Sequence, residues 1–149
     1  MYAMRNWLES SNFGKAVISL ENGSKVYVIR ESWGLHSDEI SVTQNPDGCL
    51  PPNPARDYID TYGDGHSLIY SVSGNELTIY DEAGPTRIHE PDSPWTGVQV
   101  TVKALRDPSW TMMHQNPQQF GVIVVDVPLN EVCWKNFLRT AGTSLRMGR

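Results

Sequence analysis

The residues with the clearest potential for chemistry lie in one ten-residue segment, 57–66. It contains three aspartates and a histidine, and glycines at positions 63 and 65 allow the backbone to turn tightly. Hard cations such as calcium take several oxygen ligands from a flexible loop of this kind. The spacing differs from an EF-hand, because alternate acidic ligands and a glutamate at the twelfth position are missing. The alternatives are a plain turn and a calcium site, whose ligands would be Asp57, Asp60, Asp64 and His66.

Motifs for nucleophilic or phosphate chemistry are missing from the sequence. Gly65-His66-Ser67 lacks the closing glycine of a nucleophile elbow. No phosphate-binding loop or dinucleotide fingerprint occurs. The sequence therefore predicts no catalytic residue and no cofactor beyond the calcium alternative. An enzyme, a hydrolase whose site cannot be recognised in the sequence, is the third functional hypothesis.

The two cysteines, Cys49 and Cys133, match no zinc or redox spacing. The turn Asn45–Gly48 precedes Cys49, so that thiol is expected to be exposed. A disulfide between the two would require an exported protein, and their pairing is left open. The first twenty residues contain no secretory signal, so the chain as it stands is expected in the cytoplasm. A chain whose signal peptide had been removed would instead be periplasmic or secreted.

Charge is the strongest compositional signal. The 149 residues contain 12 Lys and Arg against 17 Asp and Glu, a net charge of −5. Residues 31–92 alone contain twelve acidic residues and only Arg56 and Arg87 as cations. Such a segment repels nucleic acid and attracts basic proteins or cations. No apolar run approaches the roughly 18–20 residues of a membrane span, so no membrane partner is predicted.

These features favour a non-enzymatic binding protein that engages a basic protein, in the manner of an inhibitor or an immunity protein. Acidic residues would steer association, and loop aromatics would act as desolvated anchors. A carbohydrate- or ligand-binding β-sandwich, with or without calcium, is the second hypothesis, and the oligomeric state is left open. The predicted partner-binding residues are Trp33, Asp38, Glu39, Asp60, Tyr62, Asp64 and Trp95.

Short strands must position these residues in one domain, 1–149. Asn22-Gly23 between two apolar runs predicts a hairpin, and Ser73-Gly74-Asn75 predicts a second one. The apolar run in Gly121–Val127 predicts a central strand covered on both faces. Apolar residues at helical spacing predict a helix over Pro128–Thr140. The expected fold is mainly β or α+β, an antiparallel sheet or sandwich of about eight short strands with a C-terminal helix packed on it. The predicted strands are Ala16–Leu20, Lys25–Glu31, Glu39–Thr43, Ser67–Val72, Glu76–Tyr80, Thr86–Glu90, Val98–Leu105 and Gly121–Val127.

Overall fold

The computed structural model describes residues 12–33, 37–60, 67–83 and 88–132. Strands occupy most of these ranges, which confirms the mainly β prediction with a small helical part. The strands are β1 (Asn12–Ser19), β2 (Lys25–Trp33), β3 (Ser37–Thr43), β4 (Tyr58–Asp60), β5 (Ser67–Ser73), β6 (Glu76–Glu82), β7 (Gln99–Leu105), β8 (Ile123–Asp126) and β9 (Glu131–Val132). Helix α1 spans Ser109–Gln115 and is followed by a 3-10 turn, Pro117–Phe120.

Both predicted hairpins are confirmed. β1 pairs with β2 from Asn12↔Ser32 to Ser19↔Lys25, and β5 pairs with β6. Their turns place Gly23 at φ 87° and Gly74 at φ 62°. Glycine adopts this left-handed region without the steric penalty that a Cβ would bring.

The strands form two sheets that pack face to face. Sheet A has the order β4-β3-β2-β1-β9, and sheet B has the order β7-β6-β5-β8. One shared core joins them and includes the fully buried Val26, Val28, Leu77 and Ile79. Alternate residues of each strand therefore face this core, as expected for a sandwich.

One strand pair, β6 with β7, is parallel, whereas the sequence predicted antiparallel pairing. A parallel neighbour requires a long return connection. The segment after β6 makes this return alongside β4, the edge strand of sheet A. There His89 forms an isolated bridge to Ile59, and the carbonyl of Thr96 accepts a hydrogen bond from the Gln44 side chain. The edge strand predicted over Thr86–Glu90 is reduced to this bridge within its described residues.

Helix α1 and the segment between it and β8 pack on the outer face of sheet B. Met113 of α1 packs with Ile69 and Val122, and Val124 adds to this second cluster. Val125 and Val127 face the shared core instead, but Ile123 is 51% exposed, so the predicted covering of the apolar run on both faces is incomplete. β8 is an edge strand, and the expected central position was wrong. None of the helices in the described ranges has the length and hydropathy that crossing a membrane requires.

The beginning of the predicted C-terminal helix is not helical. Residues 128–130 are irregular, and Glu131–Val132 form β9, which pairs with Asn12 and Phe13 of β1. Pairing with a free sheet edge outweighs the helical spacing of the apolar residues, because it satisfies backbone groups that β1 would otherwise expose. The remainder of that prediction, 133–140, lies outside the described residues.

The long connection between β3 and β4, residues 44–57, covers the outer face of sheet A. It is irregular, as its four prolines predict. Ile29 and Ile59 are buried on this face, and Lys15 donates a hydrogen bond to the carbonyl of Pro46 at 3.0 Å. Cys49 packs against Phe13 with 7% of its surface exposed, so the expected exposure of this residue was wrong. Cys49 is also disulfide-bonded.

Candidate functional site

The strand ends concentrate acidic residues at one end of the sandwich. This is the end at which β1, β3 and β5 begin and β2, β4, β6, β7 and β8 finish. Among the last three strand residues at this end the only described cation is Lys103; Arg106 directly follows β7, and Lys15 and Arg30 lie one position further inside β1 and β2. We call this region the acidic end; its acidic residues are Glu31, Asp38, Glu39, Asp60, Asp81, Glu82, Asp126 and Glu131.

The opposite end of the sandwich carries little net charge. There Lys25 and Glu76 cancel, the Arg56–Asp57 ion pair before β4 is neutral, and Glu21 in the turn after β1 adds one negative charge. Two hydrogen bonds fix the alignment of the sheets at this end, from the Glu21 amide to the Gly74 carbonyl and from the Asn22 side chain to the Gly97 carbonyl. At the acidic end, Arg30 donates to the carbonyl of Val127 at 3.0 Å. Both sheets therefore contribute to the same acidic end.

Three glutamates lie on one cross-strand row of sheet A. The register places Glu39 opposite Glu31, Glu31 opposite Phe13, and Phe13 opposite Glu131. Directly opposed residues on antiparallel strands have Cβ atoms about 4.5–5.5 Å apart, so the Glu31 and Glu39 side chains are close neighbours. Burial raises the pKa of the Glu39 carboxyl above its ordinary value. Burial therefore disfavours the charged form of Glu39, and both glutamates lie at the acidic end.

Four of the predicted partner-binding residues come together at the acidic end. Trp33 pairs with Ser37, and Asp38 and Glu39 follow on β3. Asp60 lies opposite Ile40, on the side of sheet A that faces the core. Tyr62 and Asp64 lie outside the described residues. That these residues contact a partner stays a prediction.

Trp95, the seventh predicted residue, packs beside β4 at the edge of sheet A. Its indole N–H donates to the carbonyl of Arg56 at 2.7 Å, and its ring meets that of Tyr58 edge-on at 5.0 Å. It is half-buried against the shared core. These contacts give Trp95 a role in packing. Its predicted role as an anchor for a partner remains untested.

The candidate calcium ligands do not converge within the described chain. Asp57 directly precedes β4 and Asp60 ends it three residues later, so their side chains point to opposite faces of sheet A. The Asp57 carboxylate accepts bonds from the Asn53 amide at 2.9 Å and from the Arg56 guanidinium at 2.9 and 3.0 Å. Among the described residues, no group of three or more His, Cys, Asp or Glu side chains is placed to hold a metal ion. Asp64 and His66 lie outside those residues.

Asp57 instead secures the connection that covers sheet A. Burial alone would raise the pKa of this carboxyl, but its bonds to Arg56, Asn53 and Thr43 outweigh burial and lower the pKa below its ordinary value. Only about 1% of its surface is exposed. A buried, fully bonded carboxylate of this kind is a structural group.

Two residues of the acidic end lie outside the acidic segment 31–92 that the sequence indicated. Asp126 and Glu131 join it only because antiparallel pairing returns distant segments to the same end. A detectable signal existed in the strand pattern, since each of these residues lies within two positions of a strand terminus. Asp81 also accepts a hydrogen bond from the Ile88 amide at 2.8 Å, which positions the start of the return segment.

Comparison with known proteins gives no relative: no protein-family model, curated protein or solved structure matches the chain.

Proposed function

We propose that this protein is a non-enzymatic binding protein whose acidic end engages a basic protein partner, as an inhibitor or an immunity protein does. The observation that carries the proposal is the contrast between the two ends of the sandwich, one strongly acidic and the other with little net charge. Such an asymmetric charge distribution orients a basic partner as it approaches and raises the rate of productive encounters.

The cross-strand glutamates support the same proposal. Glu31 and Glu39 face each other on neighbouring strands, and burial raises the pKa of Glu39. A carboxyl whose pKa is perturbed by burial is typical of a functional site, since perturbed groups concentrate there.

The disulfide at Cys49 supports a proposal for the compartment. The sequence is compatible with the cytoplasm and, for a chain freed of its signal peptide, with the periplasm or the extracellular space. Disulfides persist in oxidising environments and are rare in the cytoplasm. Because Cys49 is disulfide-bonded, we propose that the protein works in an oxidising compartment.

The test is capture of a partner by the immobilised protein from an extract of its source cells, at low and at high salt. We expect one basic protein to be retained in stoichiometric amount at low salt and to be released at high salt, because electrostatic association is screened. An eluate without a basic protein, or one unchanged by salt, would refute the proposal.

A pair of matched double variants localises the interaction. Glu31→Gln/Glu39→Gln removes two negative charges from the acidic end. Glu21→Gln/Glu76→Gln removes two from the opposite end. The first should slow association by about tenfold at low salt, and the second should change it little. Glu39→Gln is not expected to destabilise the fold, since burial disfavours the charged form. Equal effects of both variants would show that net charge, and not the acidic end, governs binding.

A further inference from the structure

β7 is the longest edge strand that the structure describes, with seven residues at one side of sheet B. Natural edge strands are protected by covering segments, prolines, bulges or charges, and an unprotected edge is a template for strand addition. β7 contains no proline, pairs with β6 residue by residue without a bulge, and has Lys103 as its single charged residue. Its outer edge is therefore available to another strand along most of its length.

Two hydrogen bonds show which backbone groups of β7 point away from β6. The Gln99 amide donates to the Asn75 carbonyl at 2.9 Å, and the Leu105 carbonyl accepts from the Ala83 amide at 2.7 Å. Because backbone groups alternate in direction along a strand, every second residue of β7 directs its amide and carbonyl outward. These outward residues are Val100, Val102 and Ala104. Within the part of the chain that the structure describes, no hydrogen bond reaches their outward groups.

We propose that two copies of this protein dimerise by antiparallel pairing of their β7 strands across a two-fold axis at Val102. The pairing joins the two copies of sheet B into one continuous sheet. The outward residues then match one another, Val102 with Val102 and Val100 with Ala104, and pairs of this kind exchange both N–H···O bonds. A two-fold interface requires such a self-complementary surface.

The sequence of β7 selects this register. With the axis at Val102, all seven residues of β7 are paired, and Lys103 lies opposite the neutral Thr101 of the second copy. An axis one residue later opposes the two Lys103 side chains, and like charges directly opposite each other destabilise a strand pair. An axis one residue earlier leaves Ala104 and Leu105 without a β7 residue opposite them.

The apolar side chains of β7 also fit a second copy. Val100 and Val102 pack against the shared core but are only partly buried. The pairing places Val102 of one copy directly opposite Val102 of the other, and directly opposed side chains of a strand pair contact each other. The second copy therefore covers apolar surface that the edge of the sandwich leaves exposed.

Charge favours a second copy over the basic partner proposed above. Lys103 in β7 and Arg106 directly after it are cations, which repel a basic protein. Antiparallel pairing places the acidic end of one copy beside the weakly charged end of the other. Lys103 and Glu76 of the second copy then lie on the same face of the joined sheet with opposite charges. The two acidic ends point in opposite directions, so dimerisation leaves both open and does not depend on the identity of the basic partner.

The first test is sedimentation equilibrium of the full chain from about 1 µM to about 500 µM. Because one strand pair is smaller than a standard interface, we expect a dimer with a dissociation constant in the micromolar range. Ala104→Pro removes an outward N–H at an exposed position and should raise that constant by at least about tenfold. Ala104→Ser keeps the N–H and is the matched control. A monomer at every concentration, or equal dimerisation of the two variants, would overturn the proposal.

The second test uses two substitutions at Thr101, which is exposed and lies opposite Lys103 of the second copy in this register. Thr101→Glu should lower the dissociation constant by about fivefold and Thr101→Lys should raise it by about fivefold, because opposite charges attract and like charges repel across a strand pair. High salt should reduce both effects. Changes in the same direction for both substitutions would overturn the register, and no change for either would overturn the interface.

Discussion

Replacing Asp57 with asparagine tests whether this carboxylate secures the 44–57 connection over sheet A. The substitution keeps the size of the side chain and removes the charge. One carboxylate oxygen becomes an NH2 group, which cannot accept the bonds that the Asn53 amide and the Arg56 guanidinium now donate. The variant should remain folded at neutral pH with reduced stability.

The expected loss is about 2–3 kcal/mol. A hydrogen bond to a buried charged group contributes about 1.5–3 kcal/mol, and the bond from the Asn53 amide at 2.9 Å is of this kind. The ion pair with Arg56 adds less than about 1 kcal/mol, because 40% of the Arg56 side chain is exposed and water screens the pair.

The pH dependence follows from the lowered pKa of Asp57. A carboxyl whose folded pKa lies below its unfolded value stabilises the fold above the unfolded pKa, and this contribution is lost as the pH falls through the folded pKa. The ordinary value is 3.8. The difference in stability between wild type and Asp57→Asn should therefore be complete near pH 7 and shrink below about pH 4.

Urea denaturation followed by tryptophan fluorescence, at about pH 7 and about pH 3, measures this difference. Asp92→Asn serves as the control, because Asp92 is exposed on the segment that returns along the same edge of sheet A. A difference that is below about 0.5 kcal/mol at neutral pH, or that is the same at both pH values, would refute the assigned role of Asp57.

Two further substitutions test the packing of the sandwich. Leu77→Ala, at a fully buried position of the shared core, should cost about 3–4 kcal/mol in urea denaturation, and a loss below about 1 kcal/mol would show that the core is not shared as described. Gly14→Ala places a Cβ on the carbonyl oxygen of Pro128 and should cost about 1–3 kcal/mol, because the connection from β8 to β9 must shift. Val17→Thr is the control for Gly14→Ala, because Val17 is 51% exposed on the same strand and its replacement should change the thermal midpoint little. An equal change of the thermal midpoint in these two variants would contradict the close approach of Gly14 to Pro128.

The local elements were predictable wherever a short stretch of sequence decides them. The hairpins at Asn22-Gly23 and Gly74 follow from turn chemistry and flanking β-branched residues. The irregular course of residues 44–57 follows from prolines that cannot join a strand ladder. Edge positions could not be predicted in this way. The apolar run Val122–Val125 has the composition of a central strand, but a helix covers one of its faces at the edge of sheet B.

The candidate site was likewise predictable only in the parts that a short stretch of sequence decides. The sequence determined that residues 31–92 are strongly acidic, and it singled out Asp38, Glu39 and Asp60. It could not place Asp126 or Glu131 beside them, because those residues are more than 60 positions away from Asp60.

The sequence by itself therefore determined most of the strands, the two hairpin turns and the excess of negative charge, since these depend on side chains within a few residues of one another. The tertiary structure decided which strand ends meet, that the acidic residues gather at one end, and that Cys49 is buried. The physical reason is that sheet order and register arise from burying the apolar faces of two sheets against each other. That process brings together residues far apart in the chain, and no local pattern records it.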